Sequence, residues 1–172
     1  KLLEINSKDS NALLNLGIIY NKTNNRTKSV EMYEKLIKIN PNNIYAYNNL
    51  GLTYFDNLNF NKAIECYENC IKIDPNFISA YGNLGRTYLE LRNFDKALLN
   101  FNKVEKINPT DYNNLFAIGK TYLSMEKYDE GFRYYEYRKY LNNTDAIRYV
   151  KKNYNSDELY SYDIVNKKIL IL

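Results

Sequence analysis

The chain has 172 residues, 45% hydrophobic and 26% charged, a composition that fits a soluble folded protein and excludes a disordered chain. Its 24 basic and 20 acidic residues leave a net charge of +4, too mild and too scattered for the basic stripe that nucleic-acid binding requires. Histidine is absent, which removes the commonest general base and metal ligand, and Cys66 and Cys70 are too few for a zinc site.

Two cysteines without a disulfide framework point to a reducing compartment, hence a cytoplasmic location. No stretch resembles a signal peptide or is long enough to span a bilayer, so no membrane role is expected. The sequons at 21–23, 25–27 and 142–144 are read as chance in an asparagine-rich chain. The first residue is Lys1 rather than Met, and "KLLEINS" (1–7) matches the end of the units that follow. A segment is therefore expected upstream.

The string "NLGIIY" at 15–20 returns as "NLGLTY" at 49–54, "NLGRTY" at 83–88 and "AIGKTY" at 117–122. Gly17, Gly51, Gly85 and Gly119 are spaced by 34 residues, as are Pro41, Pro75 and Pro109. A fixed period of this size predicts a solenoid of small supersecondary units. Leu13, Leu16, Gly17 and Tyr20 lie at i, i+3, i+4, i+7, one apolar stripe of a helix. A second helix follows in each unit, as in "NKAIECYENCIKIDP" (61–75), where Ala63, Tyr67 and Cys70 share a face and proline closes the helix. Asn42, Asn43 and Thr110 stand where an N-cap for the next helix belongs. Each helix–turn–helix cannot bury its stripe alone, and stacking completes the core.

These residues resemble the tetratricopeptide repeat. Its pattern is carried in the second unit by Tyr47, Leu50, Gly51, Tyr54, Ala63, Tyr67, Cys70 and Pro75. The third carries it through Tyr81, Leu84, Gly85, Tyr88, Ala97, Phe101, Val104 and Pro109. The first unit departs from it at Ser29 and Leu36, and the fourth at Gly131 and Arg138. The resemblance implies an all-α, right-handed superhelical solenoid with a short extended C-terminal tail. The expected units are the end of a truncated repeat (1–9), repeats at 10–43, 44–77 and 78–111, a divergent repeat at 112–143, and a linker with a first strand of a further domain at 144–172.

In such solenoids the first helices line a concave groove. Asn15, Asn49 and Asn83 point away from the packing stripe, so the resemblance sets them in that groove as a ladder of amides. A similar ladder marks the superhelix of O-linked N-acetylglucosamine transferases. A carboxamide both donates and accepts, and can pair with a peptide backbone whatever its sequence. The expected binding residues are Asn15, Asn49, Asn83, Asn48, Arg86 and Lys120, with Lys22, Asp56 and Glu90 nearby. Leu14 and Ile18 stand where a clamp for chaperone tails would need Lys and Asn, so that reading is set aside.

Beyond residue 126, Gly131, Phe132, Tyr135, Glu136, Tyr137 and Arg138 resemble a junction between such repeats and a glycosyltransferase-like domain. The terminal "KKILIL" (167–172) reads as a buried strand. It either opens an absent sheet, docks on the repeats, or pairs with a second copy. No nucleophile–base pair, phosphate loop or metal cluster is spelled, so the expectation is a protein- or peptide-binding scaffold, not an enzyme, with no cofactor. The alternative is the substrate-recruiting arm of a longer glycosyltransferase.

Overall fold

The computed structural model describes residues 9–137. Expectations that fall on residues 1–8 and 138–172, including Arg138, the linker, the terminal strand and self-association through it, lie outside the described residues. All regular structure among the described residues is helical: α1 Ser10–Lys22, α2 Arg26–Ile39, α3 Ile44–Asp56, α4 Phe60–Ile73, α5 Ile78–Glu90, α6 Phe94–Ile107, α7 Tyr112–Ser124 and α8 Tyr128–Tyr135. They form four successive hairpins.

Asparagine starts half of these eight helices. Asn25, Asn59 and Asn93, spaced by 34, accept from the backbone N–H of Lys28, Lys62 and Lys96 at 3.4, 3.4 and 3.2 Å. Asn43 caps α3 through the Ala46 N–H at 2.9 Å, and Asp9 and Asp111 do the same for α1 and α7. Two sequence expectations are corrected here. Asn42 lies one residue too early to cap α3, and Thr110 instead donates its hydroxyl to Asn108 Oδ1 at 3.1 Å.

Within each hairpin the chain reverses through one residue of left-handed backbone: Asn24, Leu58, Arg92 and Glu126, with φ of 60, 59, 56 and 61°. The following N–H then reaches back to Tyr20, Tyr54, Tyr88 or Tyr122, closing the helix with a bond of 2.8–3.0 Å. The second helices end at Ile39, Ile73 and Ile107. The next residue, forced out of helical conformation by the proline after it, is extended at Asn40, Asp74 and Asn108.

The recurring glycines have a steric cause. A methyl group on Gly51 would lie 2.5 Å from Cε1 of Tyr67, a ring that is completely buried. Gly17 and Gly85 face Tyr33 and Phe101 in the same way. At Gly119 the obstacle is backbone, the Tyr135 nitrogen at 2.9 Å. Glycine thus lets the aromatic of the second helix lie flat on the first helix.

The departure at Ser29 is also structural. Ser29 is fully buried, its hydroxyl donates to the Gly17 carbonyl at 2.9 Å, and it lies 3.3 Å from the Thr53 hydroxyl of the next repeat. Leu36 is fully buried in the same core. Cys66 and Cys70 are buried too, and Cys70 Sγ donates to the Ile44 carbonyl at 3.4 Å. Burial, reinforced at Cys66 by the neighbouring thiol and carboxylates, pushes both thiols up to about 12.

Successive hairpins stack so that the first helices α1, α3, α5 and α7 adjoin one another, while each second helix touches only its sequence neighbours to any extent. The side lined by first helices is therefore the concave one. This sets the geometry of the site.

Candidate binding groove

A cavity of about 360 Å³ opens on the concave side. Asn48 and Leu52 of α3, Gly82, Asn83 and Arg86 of α5, and Asn114 and Ala117 of α7 line it, with Phe101 and Val104 of α6 behind. Three repeats thus contribute to one depression.

The six sequence candidates divide in this geometry. Asn48, Asn83 and Arg86 come together, and Asn83 Nδ2 donates to Asn48 Oδ1 at 3.0 Å across the repeat boundary. The Arg86 guanidinium lies over the Phe55 ring, 5.3 Å from its centroid. Lys120 is half-buried on α7, one repeat beyond Arg86. Burial lowers its ammonium pKa, Glu90 opposes the shift, and Arg86 adds to it. Asn15 is exposed on α1 and Asn49 half-buried on α3, and neither lines the cavity.

Sequence reasoning missed three features of this face. Thr53, Thr87 and Thr121 are fully buried beneath it, each hydroxyl donating to the carbonyl four residues back, at Asn49, Asn83 and Ala117. Their period of 34 was available as a signal. Asn114 is the second: only 6% exposed, it donates Nδ2 to the Phe101 carbonyl at 2.9 Å, while its Oδ1 has no partner. Gly82 is the third, because a methyl group there would meet nothing within 4 Å.

On the outer side, Lys28, Lys62 and Lys96 sit over the rings of Tyr20, Tyr54 and Tyr88 at 5.5, 5.2 and 5.2 Å. These contacts tie the two helices of each hairpin together. Among the described residues, no group of three or more His, Cys, Asp or Glu is placed to hold a metal. No described helix is long and apolar enough to cross a membrane.

Three tetratricopeptide-repeat family models match, at residues 19–57, 44–77 and 66–98. None reaches the junction-like residues, and Gly131 and Tyr135 there form the buried face of α8. No match is found among curated proteins. Among solved structures the chain is similar to a crystal structure of MamA at 23% identity, covering 87% of this chain and 83% of that one, with a TM-score of 0.72. A second crystal structure of MamA shares 21% identity over 99% and 83%, at 0.71. A third MamA structure shares 26% over 75% and 74%, at 0.65. The repeat matches, all within residues 19–98, and the shared fold agree: the described residues form an all-α solenoid of the kind seen in tetratricopeptide-repeat structures.

Proposed function

We propose that the chain binds an extended segment of a partner protein along its concave groove. The observation that carries this reading is the cavity shared by α3, α5 and α7, whose walls present side-chain amides from Asn48, Asn83 and Asn114 over an apolar base. Amides recognise a peptide backbone without demanding a sequence, and the apolar base gives side chains somewhere to go. Asn83 and Asn48 form the centre of the site, Arg86 and Lys120 its basic flank, and Asn49 and Asn15 extend it toward the first hairpin.

The arm of a glycosyltransferase is the weaker reading, since Gly131 and Tyr135 are accounted for by helix packing alone.

The test is amide chemical-shift mapping with a 12-residue unstructured peptide selected from a random library. Shifts concentrated on α3, α5 and α7 support the groove. Shifts concentrated on the outer faces of α4 and α6 count against it.

A further inference from the structure

Two residues at the same place set the third and fourth repeats apart from the others. Ala12, Ala46 and Ala80 occupy one repeat position, and the fourth unit puts Asn114 there. Ala46 and Ala80 are fully buried, so the amide enters a site its equivalents keep apolar, and its Oδ1 is buried without a hydrogen-bond partner. A buried acceptor left unmatched costs stability.

Gly82 is the second exception, a helical glycine without a packing neighbour at a position that differs in every repeat. Its equivalents are Leu14, Asn48 and Phe116. Five of the six glycines face an atom within 3 Å of where a methyl would stand, but Gly82 faces none. A glycine inside a helix is unfavourable relative to alanine, and here no packing contact accounts for it. Both exceptions line the same cavity, Gly82 from α5 and Asn114 from α7. Together they leave a hollow edged by a residue whose buried Oδ1 is unmatched.

Resting on the groove reading above, we propose that this hollow takes one side chain of the bound segment, an aromatic ring with a neutral donor at its tip, of which tyrosine is the simplest. The volume of about 360 Å³ leaves room for a ring. Leu52, Val104 and Ala117 supply apolar walls for a ring. Asn114 Oδ1 calls for a donor, which a hydroxyl supplies if the side chain shifts toward the cavity while Nδ2 keeps the Phe101 carbonyl. Arg86 and Asp111 both line the wall, so it has no one-signed field to recruit a charged donor, and a neutral donor fits it. A phenol meets all these conditions.

The test uses the full 172-residue chain and two fragments, p-cresol and toluene, followed by amide and side-chain NMR shifts. p-Cresol should bind saturably with millimolar affinity, as suits so few atoms. Toluene should bind about fivefold more weakly, the worth of one hydrogen bond. Gly82→Leu should abolish both by filling the hollow. Asn114→Ala, which restores the residue of the other repeats, should keep the fold and make the two fragments bind alike. Equal binding of p-cresol and toluene to the unaltered chain, indifference to Gly82→Leu, or no saturable binding overturns the proposal. These outcomes are independent of the peptide mapping: a peptide bound in the groove with no p-cresol selectivity removes the pocket alone, and p-cresol binding without any peptide binding removes the groove alone.

Discussion

The side-chain amide of Asn83 on α5 donates to Oδ1 of Asn48 on α3 at 3.0 Å, joining two groove positions in consecutive repeats. The bond fixes the orientation of both carboxamides. Asn83 keeps one N–H and its oxygen, and Asn48 keeps its NH₂, so a prearranged set of donors and acceptors remains for a ligand. Preorganisation of this kind reduces the entropy lost on binding.

Gly51 and Gly82 lie on equivalent first helices and should respond oppositely to alanine. At Gly51 the added methyl meets the buried Tyr67 ring at 2.5 Å, so overpacking by about 1–3 kcal/mol exceeds the helix-propensity gain. At Gly82 nothing opposes the methyl, and a gain of about 0.5–1 kcal/mol is expected. Urea denaturation of the two variants measures both signs.

The hydroxyl of Tyr67 is buried without a hydrogen-bond partner, whereas the equivalent Tyr33 has the Ser29 hydroxyl beside it. Phe101 occupies the same position in the third repeat. Tyr67→Phe is therefore expected to be neutral or stabilising by up to about 1 kcal/mol. Tyr33→Phe, which takes away the hydroxyl beside Ser29, should be the less favourable of the two changes. Thermal melts of the pair compare them directly.

Leu58 holds left-handed backbone at φ 59° while 75% exposed, so its side chain contributes little packing. Glycine adopts that conformation without the steric penalty of a side chain. Leu58→Gly should raise stability by about 0.5–1 kcal/mol, seen as a higher denaturation midpoint with unchanged slope.

The thiols of Cys66 and Cys70 titrate near 12 in the folded chain because burial disfavours the thiolate, against an ordinary value of 9.0. The unfolded chain releases these protons first as pH rises, so the fold loses stability between about pH 9 and pH 12 and none below that window. Melting temperatures across this range should fall, and less steeply in Cys66→Ala. Native thiols should also resist Ellman's reagent at pH 8, since little thiolate exists there.

The repeat architecture was legible because packing writes a dense code. Gly17, Gly51 and Gly85 recur since each must admit a ring, and Tyr33, Tyr67 and Phe101 recur as those rings. The left-handed turn residues were hidden, because Asn24, Leu58, Arg92 and Glu126 share a backbone angle and no side-chain chemistry. Asparagine misled in both directions. Asn25, Asn59 and Asn93 recur for capping, and Asn49, though on the expected helix, stays outside the cavity. Asn114 was invisible to a search for regularity because it departs from the period, and Gly82 because its position carries a different residue in every repeat. A groove is shaped by its exceptions.

The measurement that bears most directly on the groove is the affinity of a library-selected 12-residue peptide for the chain carrying Asn48→Ala with Asn83→Ala. Removing both partners of the 3.0 Å bond leaves no orphaned group, so the melting temperature should move by only a few degrees, about what 1 kcal/mol produces. Fluorescence anisotropy should show affinity reduced by about tenfold or more, equivalent to one or two lost hydrogen bonds. An affinity equal to that of the unaltered chain, with the fold intact, would contradict the assignment of these amides as the binding surface.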